Sequence, residues 1–391
     1  MFTVGITGTN GKTSTTHLVA AALREAGRPC TMLSTVRTAI DDADRPPPAS
    51  LQGMYDVLQE GLAAGCRDAV IEVTSRALAH GYAKRWRFDL GVFTNLSPDH
   101  LTTHGTWENY LAAKAQLFVH LAPGRTAVLN AGDPHAWMLD KAIRADVRRR
   151  WFWAPGRQPL PDLPVSLQAS AVSVDPDGTQ VALVDGEDAR ALGGRLRVRM
   201  IGDVFAENAL AAASASLAMG LPGDAIARGL AGCPVVPGRF EVVARDPLCV
   251  VDYAHGPDAL ARTCDTARRL TDGRVLVVFG AGGGSTPDKR VPMGEAVGAR
   301  ADVAFVTTDS PRDEPPATIA DMVAEGVRAG GRAVLVLVPD RRTAIADAIA
   351  AADPGDVVVV AGRGHERRQT IGAEVLDYSD AEAIAAIVGA A

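Results

Sequence analysis

Cysteine is scarce and unpatterned: five residues, at 30, 66, 233, 249 and 264, form an odd set with no CxxC pair. That excludes a readable disulfide framework or zinc ribbon and points to buried, reduced thiols. No apolar run approaches the roughly 20 residues of a membrane-spanning helix. The first residues, Met1-Phe2-Thr3-Val4-Gly5-Ile6-Thr7-Gly8, carry no cationic leader, so a cytoplasmic chain with no membrane partner is expected. Positive charge is lacking as well. With a net charge of -6 the chain exerts no long-range pull on nucleic acid or an anionic membrane, and any phosphate site must be local. The 39 glycines and 24 prolines follow no collagen-like period, and 47% apolar with 22% charged residues is an ordinary globular composition. At about 150 residues per domain, 391 residues predict two or three domains.

Short β-branched runs alternate with longer helical patterns, as in Phe2 to Thr7, Ser14 to Ala26 and Asp68 to Val73, which predicts parallel strands with crossover helices. Between about residues 165 and 200 the period changes to two, around the turn signal Asp175-Pro176-Asp177-Gly178, so a small antiparallel insert is expected. Helical spacing resumes from Ala206 to Met219. The turn-rich Gly232 to Gly238 then marks a boundary, giving an ATP-binding domain at 1–237 and a smaller doubly wound α/β domain at 238–391. The second domain's strands are expected at Cys249 to Tyr253, Val275 to Phe279, Val303 to Thr307, Ala333 to Val338 and Val357 to Ala361, with a ligand site after their carboxyl ends.

Gly8-Thr9-Asn10-Gly11-Lys12-Thr13, followed by Ser14, leaves an apolar strand and opens a helix. In that context backbone N–H groups and the positive helix end hold phosphates, Lys12 reaches the β/γ-phosphates and Thr13 a magnesium ion. The generic pattern wants glycine where Ile6 stands, so the loop is a variant. Glu72 ends an apolar strand, where a carboxylate facing the loop can bind Mg²⁺. His100 and His104, four apart, could form a zinc pair, but no third soft ligand accompanies them. Lys114, in an alanine-rich helix from Glu108 to Phe118, reads by itself as a solvated surface lysine.

The loop, with Glu72-Val73-Thr74-Ser75, Phe93-Thr94-Asn95-Leu96, Asp99-His100-Leu101, Ala113 to Phe118, Pro237-Gly238-Arg239, Asp252-Tyr253-Ala254-His255, Asp309-Ser310-Pro311-Arg312 and Gly362-Arg363-Gly364-His365-Glu366, resembles the Mur ligases. These ATP-dependent enzymes join an amino acid to a carboxylate in cell-wall synthesis, and the likeness is closest to the branch that adds the third peptide residue, MurE. The resemblance implies that Lys114 is carbamylated by CO₂, turning a cation into an anion able to bind Mg²⁺, and that His100 helps hold a second magnesium. It also implies that Asn208 contacts adenine, with Phe205 in place of a companion asparagine. Arg239 and Asp252 would meet the nucleotide's phosphate and ribose, so that domain closure conditions catalysis. His255, Asp309, Arg312, Gly362 and Glu366 would contact the incoming amino acid, whereas Ser285 stands where diaminopimelate enzymes place a second arginine. Pro46 to Ala49 and Arg76 replace family residues near the acceptor. With the phosphate loop at Gly5 to Thr13 no segment remains for the family's UDP-sugar domain, so a small non-UDP carboxylate acceptor is expected. Folylpolyglutamate-type ligation and a non-catalytic nucleotide-binding scaffold are the competing expectations.

Overall fold

The structure, a computed structural model, describes residues 1–97, 104–156, 158–284 and 286–389. Two compact units divide the chain: one comprises Met1–Ser173, Asp177–Arg199 and Asp203–Pro234, the other Val174–Pro176, Met200–Gly202 and the chain from Val235 onward. Among the described residues no helix is long and apolar enough to cross a membrane.

In the first unit the strands, in chain order, are β1 (Phe2–Thr7), β2 (Cys30–Leu33), β3 (Thr38–Ile40), β4 (Ala43–Arg45), β5 (Asp68–Glu72), β6 (Leu90–Phe93), β7 (Thr126–Asn130), β8 (Arg148–Trp153), β9 (Val165–Asp175), β10 (Gly178–Leu183) and β11 (Arg195–Val198). Among the described residues they form one sheet in the order β11-β10-β9-β8-β7-β6-β1-β5-β2-β3-β4. The strands from β9 to β2 in that order run parallel, and the central ones are buried on both faces, which is why they read as continuous apolar runs. The expected turn at Asp175 to Gly178 joins β9 to β10. The antiparallel part is not a separate insert, however: β9 pairs in parallel with β8, so β10 and β11 prolong the same sheet. The physical reason is the open edge of β8, whose backbone groups β9 satisfies.

Register places the chemistry. Ile6 of β1 lies opposite Glu72 of β5, and Thr7 opposite Phe93 of β6, so the loops after these three strands emerge side by side at one edge of the sheet. In an open α/β sheet this is where ligands bind.

The second unit's strands are β12 (Glu241–Arg245), β13 (Leu248–Asp252), β14 (Val275–Phe279), β15 (Val303–Val306), β16 (Val334–Leu337) and β17 (Val357–Ala361), ordered β12-β13-β17-β14-β15-β16. All pairings are parallel except that of the edge strand β12 with β13. A two-stranded hairpin, β18 (Arg368–Ile371) with β19 (Glu374–Asp377), follows. The helices Arg341–Ala350 and Asp380–Val388 start on a buried ion pair: Arg341 donates through Nε and Nη2 to the two Asp380 carboxylate oxygens, each at 2.8 Å, with side-chain exposures of 1% and 0%. Removing one partner strands a buried charge. Asp380→Ala is therefore expected to destabilise the second unit by about 3–5 kcal/mol, and Arg341→Met with Asp380→Leu by less. Urea denaturation of both variants checks this, and a single-variant loss under about 1 kcal/mol would contradict it.

Candidate active site

In the first unit β1 runs through the loop Gly8 to Gly11 into the helix α1 (Lys12–Glu25). Gly11 adopts φ +82°, and a Cβ there would stand 2.2 Å from Asn208 Oδ1, so glycine is required for both backbone and space. It also offers no side-chain cap to the first amides of the helix, which leaves a positively polarised end facing the loop. Lys12 Nζ reaches back 2.8 Å to the Thr9 carbonyl, holding its charge over the loop. Ser14 is buried beneath it.

The loop's shape is imposed from neighbouring elements. The segment after β6 supplies Thr94, whose hydroxyl donates to the Asn10 carbonyl at 2.6 Å, and Asn95, whose carbonyl accepts from Thr9 N and whose Oδ1 accepts from Asn10 N, both at 2.9 Å. From the helix Trp107–Val119 the Tyr110 hydroxyl meets Thr9 Oγ1 at 2.9 Å, and Lys114 Nζ donates to the Gly8 carbonyl at 2.7 Å. Lys114 is not a surface lysine. Its side chain is 1% exposed and its Nζ lies 4.4 Å from the Tyr110 ring centroid. The helix face that carries Tyr110, Leu117 and Phe118 into the core takes Lys114 with it.

Glu72 Oε2 accepts from Thr13 Oγ1 at 2.9 Å, from Thr35 N at 3.0 Å and from Thr35 Oγ1 at 3.1 Å. This set of hard oxygens suits Mg²⁺, which takes one or two carboxylates and completes its shell with water and substrate phosphates. Among the described residues no group of three or more histidine, cysteine or acidic side chains is placed to hold a metal by itself. His100 lies outside the described residues. His104 is engaged elsewhere: its Nε2 lies 3.0 Å from Ser75 Oγ and its ring against Tyr110, while burial and the Lys114 charge hold its pKa below the usual value. Asn208, on the helix Asp203–Ala218, is buried with its amide against Gly11, and Phe205 on that helix is part of the core.

Beside Glu72 opens a cavity of about 340 Å³. Its walls come from Leu33 to Thr35, Pro47 to Ser50, Ile71 to Thr74, and Met54, Ala77, Tyr82 and Phe88. Pro46 is not in the lining, and Arg76 projects exposed from the helix Ser75–Ala79, between lining residues Thr74 and Ala77. The helical turn explains this, since Ala77 rather than Arg76 falls on the inward face.

The second unit gathers the other candidates after β13, β14, β15 and β17. Asp252 binds the chain around it: its carboxylate accepts from Phe240 N (2.7 Å), Ala254 N (2.9 Å) and Thr263 Oγ1 (3.0 Å), although burial pushes its pKa up. The Arg239 guanidinium stacks 4.4 Å over the Tyr253 ring, and His255 Nδ1 lies 2.7 Å from the Tyr253 carbonyl. Burial first, and then the Asp309 charge, raise the pKa of Glu366, whose carboxylate lies 3.5 Å from the Tyr253 hydroxyl. A Cβ on Gly362 would stand 2.7 Å from Asp309 Oδ2, so this glycine lets the aspartate pass.

Two buried arginines organise this cluster: Arg363, which the sequence motifs named without a role, and Arg290, which no motif named. Arg363, fully buried, donates from Nη1 to Ser310 Oγ at 2.8 Å and lies 3.7 Å from the Asp309 carboxylate. Arg290, 2% exposed, donates from Nη2 to Glu314 Oε2 at 2.7 Å, and Glu314 also accepts from Gly284 N at 2.7 Å. Glu314 is thus already committed, and Arg312 remains exposed with its guanidinium against Gly284. Arg312 has φ +54°, held by Arg312 N to Thr370 O (3.1 Å) and Gly372 N to Arg312 O (2.7 Å), a costly backbone of the kind that clusters at functional sites. Asp309, Arg312, Gly362, Glu366 and His255 therefore share one end of the second unit, whereas Arg76 belongs to the first. Ser285 lies outside the described residues.

Residues 6–216 match the family profile described as Mur ligase middle domain, and residues 238–364 that of the Mur ligase, glutamate ligase domain. The UDP-N-acetylmuramoyl-L-alanyl-D-glutamate--2,6-diaminopimelate ligase of Nostoc sp. is 37% identical over 387 residues, 97% of this chain and 75% of its own. The enzyme of the same name from Aquifex aeolicus is 34% identical over 391 residues, 99% of this chain and 77% of its own. A solved structure bearing that enzyme name superposes with a TM-score of 0.67 at 30% identity, over 100% of this chain and 78% of that one. Folylpolyglutamate synthase of Mycobacterium tuberculosis, at 21% identity and a TM-score of 0.70 over 92% of this chain and 88% of its own, shares the fold.

Proposed function

The chain belongs to the Mur ligase family and is an ATP-dependent acid–amino acid ligase, and from that premise we propose that it joins an amino acid to a small, non-UDP carboxylic acid through an acyl phosphate. One observation carries the reading: the loop carrying Lys12, the Glu72–Thr13–Thr35 oxygen cluster and an apolar cavity meet at one edge of a single sheet. An oxygen of the acid attacks the γ-phosphorus and ADP departs. The amine nitrogen then attacks the acyl carbon, phosphate leaves, and the amide forms.

The protein's part is positional and electrostatic. Backbone amides of Gly8 to Lys12 and the start of α1 hold the phosphates, and Lys12 offsets the charge that spreads over the transferring group. Thr13 and Glu72 would hold Mg²⁺, and His100 with Lys114 as its CO₂-derived carbamate would hold a second ion; bound Mg²⁺ would supply charge neutralisation at the phosphates. A carbamate keeps one N–H on the Lys114 nitrogen, the kind of donor that the Gly8 carbonyl accepts from here. Asn208 meets the adenine.

The amine side belongs to the second unit. A planar guanidinium matches a carboxylate with two parallel hydrogen bonds, which makes Arg312 the reader of the amino acid's carboxylate, with Asp309 and Glu366 facing its ammonium. Gly362 leaves room, and His255 closes the side nearest Tyr253. Arg312→Lys keeps the charge and loses the fork. It is expected to raise the amine KM about thirtyfold at saturating ATP, the equivalent of about 2 kcal/mol, while ADP formation still requires both acid and amine. An unchanged KM would remove Arg312 from the amine site.

A further inference from the structure

The cavity beside Glu72 has a composition that selects among acids, and this inference rests on the ligase reading above. Its walls are Leu33, Pro47, Met54, Ile71, Tyr82 and Phe88 with smaller neighbours, and among the described lining residues there is no lysine, arginine or histidine. Two lining hydroxyls donate within local structure, Ser34 Oγ to Arg37 O and Thr35 Oγ1 to Glu72, while Ser50 Oγ accepts from Gly53 N and Thr74 Oγ1 from Ala77 N. Two arginines near the lining in sequence are also committed, Arg37 to Asp42 and Asp44, Arg45 to Glu60. The one strong charge on the wall is Glu72 itself. A second carboxylate on the bound acid would therefore leave water for walls whose described residues offer it no cationic side chain. An aliphatic or aromatic body would instead bury apolar surface against apolar walls, in a volume at the small end of ligand pockets.

We infer that this cavity is the side-chain subsite of the acid, and that it takes a monocarboxylic acid with an aliphatic or aromatic body and excludes dicarboxylates. An N-linked glutamate fails the test, because one of its two carboxylates stays free when the other is activated. Specificity here arises from the absence of a partner for the wrong ligand.

Hydroxylamine makes the acid testable without knowledge of the natural amine. The acid's oxygen displaces ADP from the γ-phosphorus, and the hydroxylamine nitrogen then displaces phosphate, leaving a hydroxamate, ADP and inorganic phosphate. With the full chain, ATP and Mg²⁺, N-acetyl-L-phenylalanine should give hydroxamate at least about tenfold faster than N-acetyl-L-glutamate at equal concentration. Pro47→Arg and Ala49→Arg place a cation at exposed positions of the cavity wall, where folding is little affected, and each should narrow that preference about tenfold. Calorimetric titration of both acids, with a non-hydrolysable ATP analogue present, reads the subsite independently of turnover. Tighter binding of the phenylalanine acid without hydroxamate would uphold the subsite and overturn the ligase reading. Equal or better use of the glutamate acid, no binding of either acid, or a preference unmoved in both arginine variants would overturn the subsite.

Discussion

Lys12→Ala is expected to lower acid-dependent ADP formation by at least 10²–10³-fold while leaving the fold intact. The magnitude follows from the role proposed for the side chain: its ammonium is held 2.8 Å from the Thr9 carbonyl, over the loop proposed to hold the phosphates, and its charge would count most when negative charge spreads in the transition state. Loss of one preorganised group of this kind typically costs a hundredfold to a thousandfold. The loop is fixed by Thr94, Asn95, Tyr110 and Lys114, so truncating Lys12 should leave its backbone in place. Lys12→Arg should recover little, because a forked, larger head does not fit where a compact ammonium folds onto Thr9. The check is steady-state kinetics with a urea denaturation curve for each variant; near-full turnover by Lys12→Ala would remove Lys12 from phosphoryl transfer.

Lys114→Ala should also abolish turnover, by two separable routes. It takes the donor from the buried Gly8 carbonyl, at a cost of about 1–3 kcal/mol for the unsatisfied group, and it removes the anion that the carbamate would present to Mg²⁺. Only the second route can be repaired from solution. Acetate or propionate is expected to restore part of the activity of Lys114→Ala by occupying the vacated space, and ¹³C-labelled CO₂ should give a carbamate resonance in the parent protein that the variant lacks. Full activity in the alanine variant, or absence of the resonance with no rescue, would contradict the assignment.

The parts of this account that the sequence carried are those written in contiguous residues. Val275–Phe279 and Val357–Ala361 are fully buried parallel strands, and a short unbroken apolar run rich in valine suits that setting, so their limits are readable to the residue. The phosphate loop is likewise local: strand, glycines, Lys12 and helix follow one another. What escaped is non-local or short. The three-residue strands β3 and β4 and the hairpin β18–β19 have too few residues to show a period. Thr35 became visible as a partner of Glu72 only when β2 and β5 were paired, and Thr94 and Asn95 as clamps of the loop only when β6 was placed beside β1. Lys114 read as a surface residue because an alanine-rich helix gives little contrast between its faces; burial there is decided by Tyr110, Leu117 and Phe118 packing into the core. In the second unit Arg290 stands 24 residues from Glu314 and Arg363 53 residues from Ser310, distances at which no local pattern announces a contact.

An acyl phosphate carries an oxygen of the acid into the phosphate that leaves. N-acetyl-L-phenylalanine labelled with ¹⁸O in both carboxylate oxygens, incubated with the full chain, ATP, Mg²⁺ and hydroxylamine, is predicted to yield inorganic phosphate that carries one ¹⁸O atom per hydroxamate formed, because the acyl phosphate's bridging oxygen leaves with the phosphate. Hydroxamate accompanied by unlabelled phosphate would contradict an acyl-phosphate mechanism.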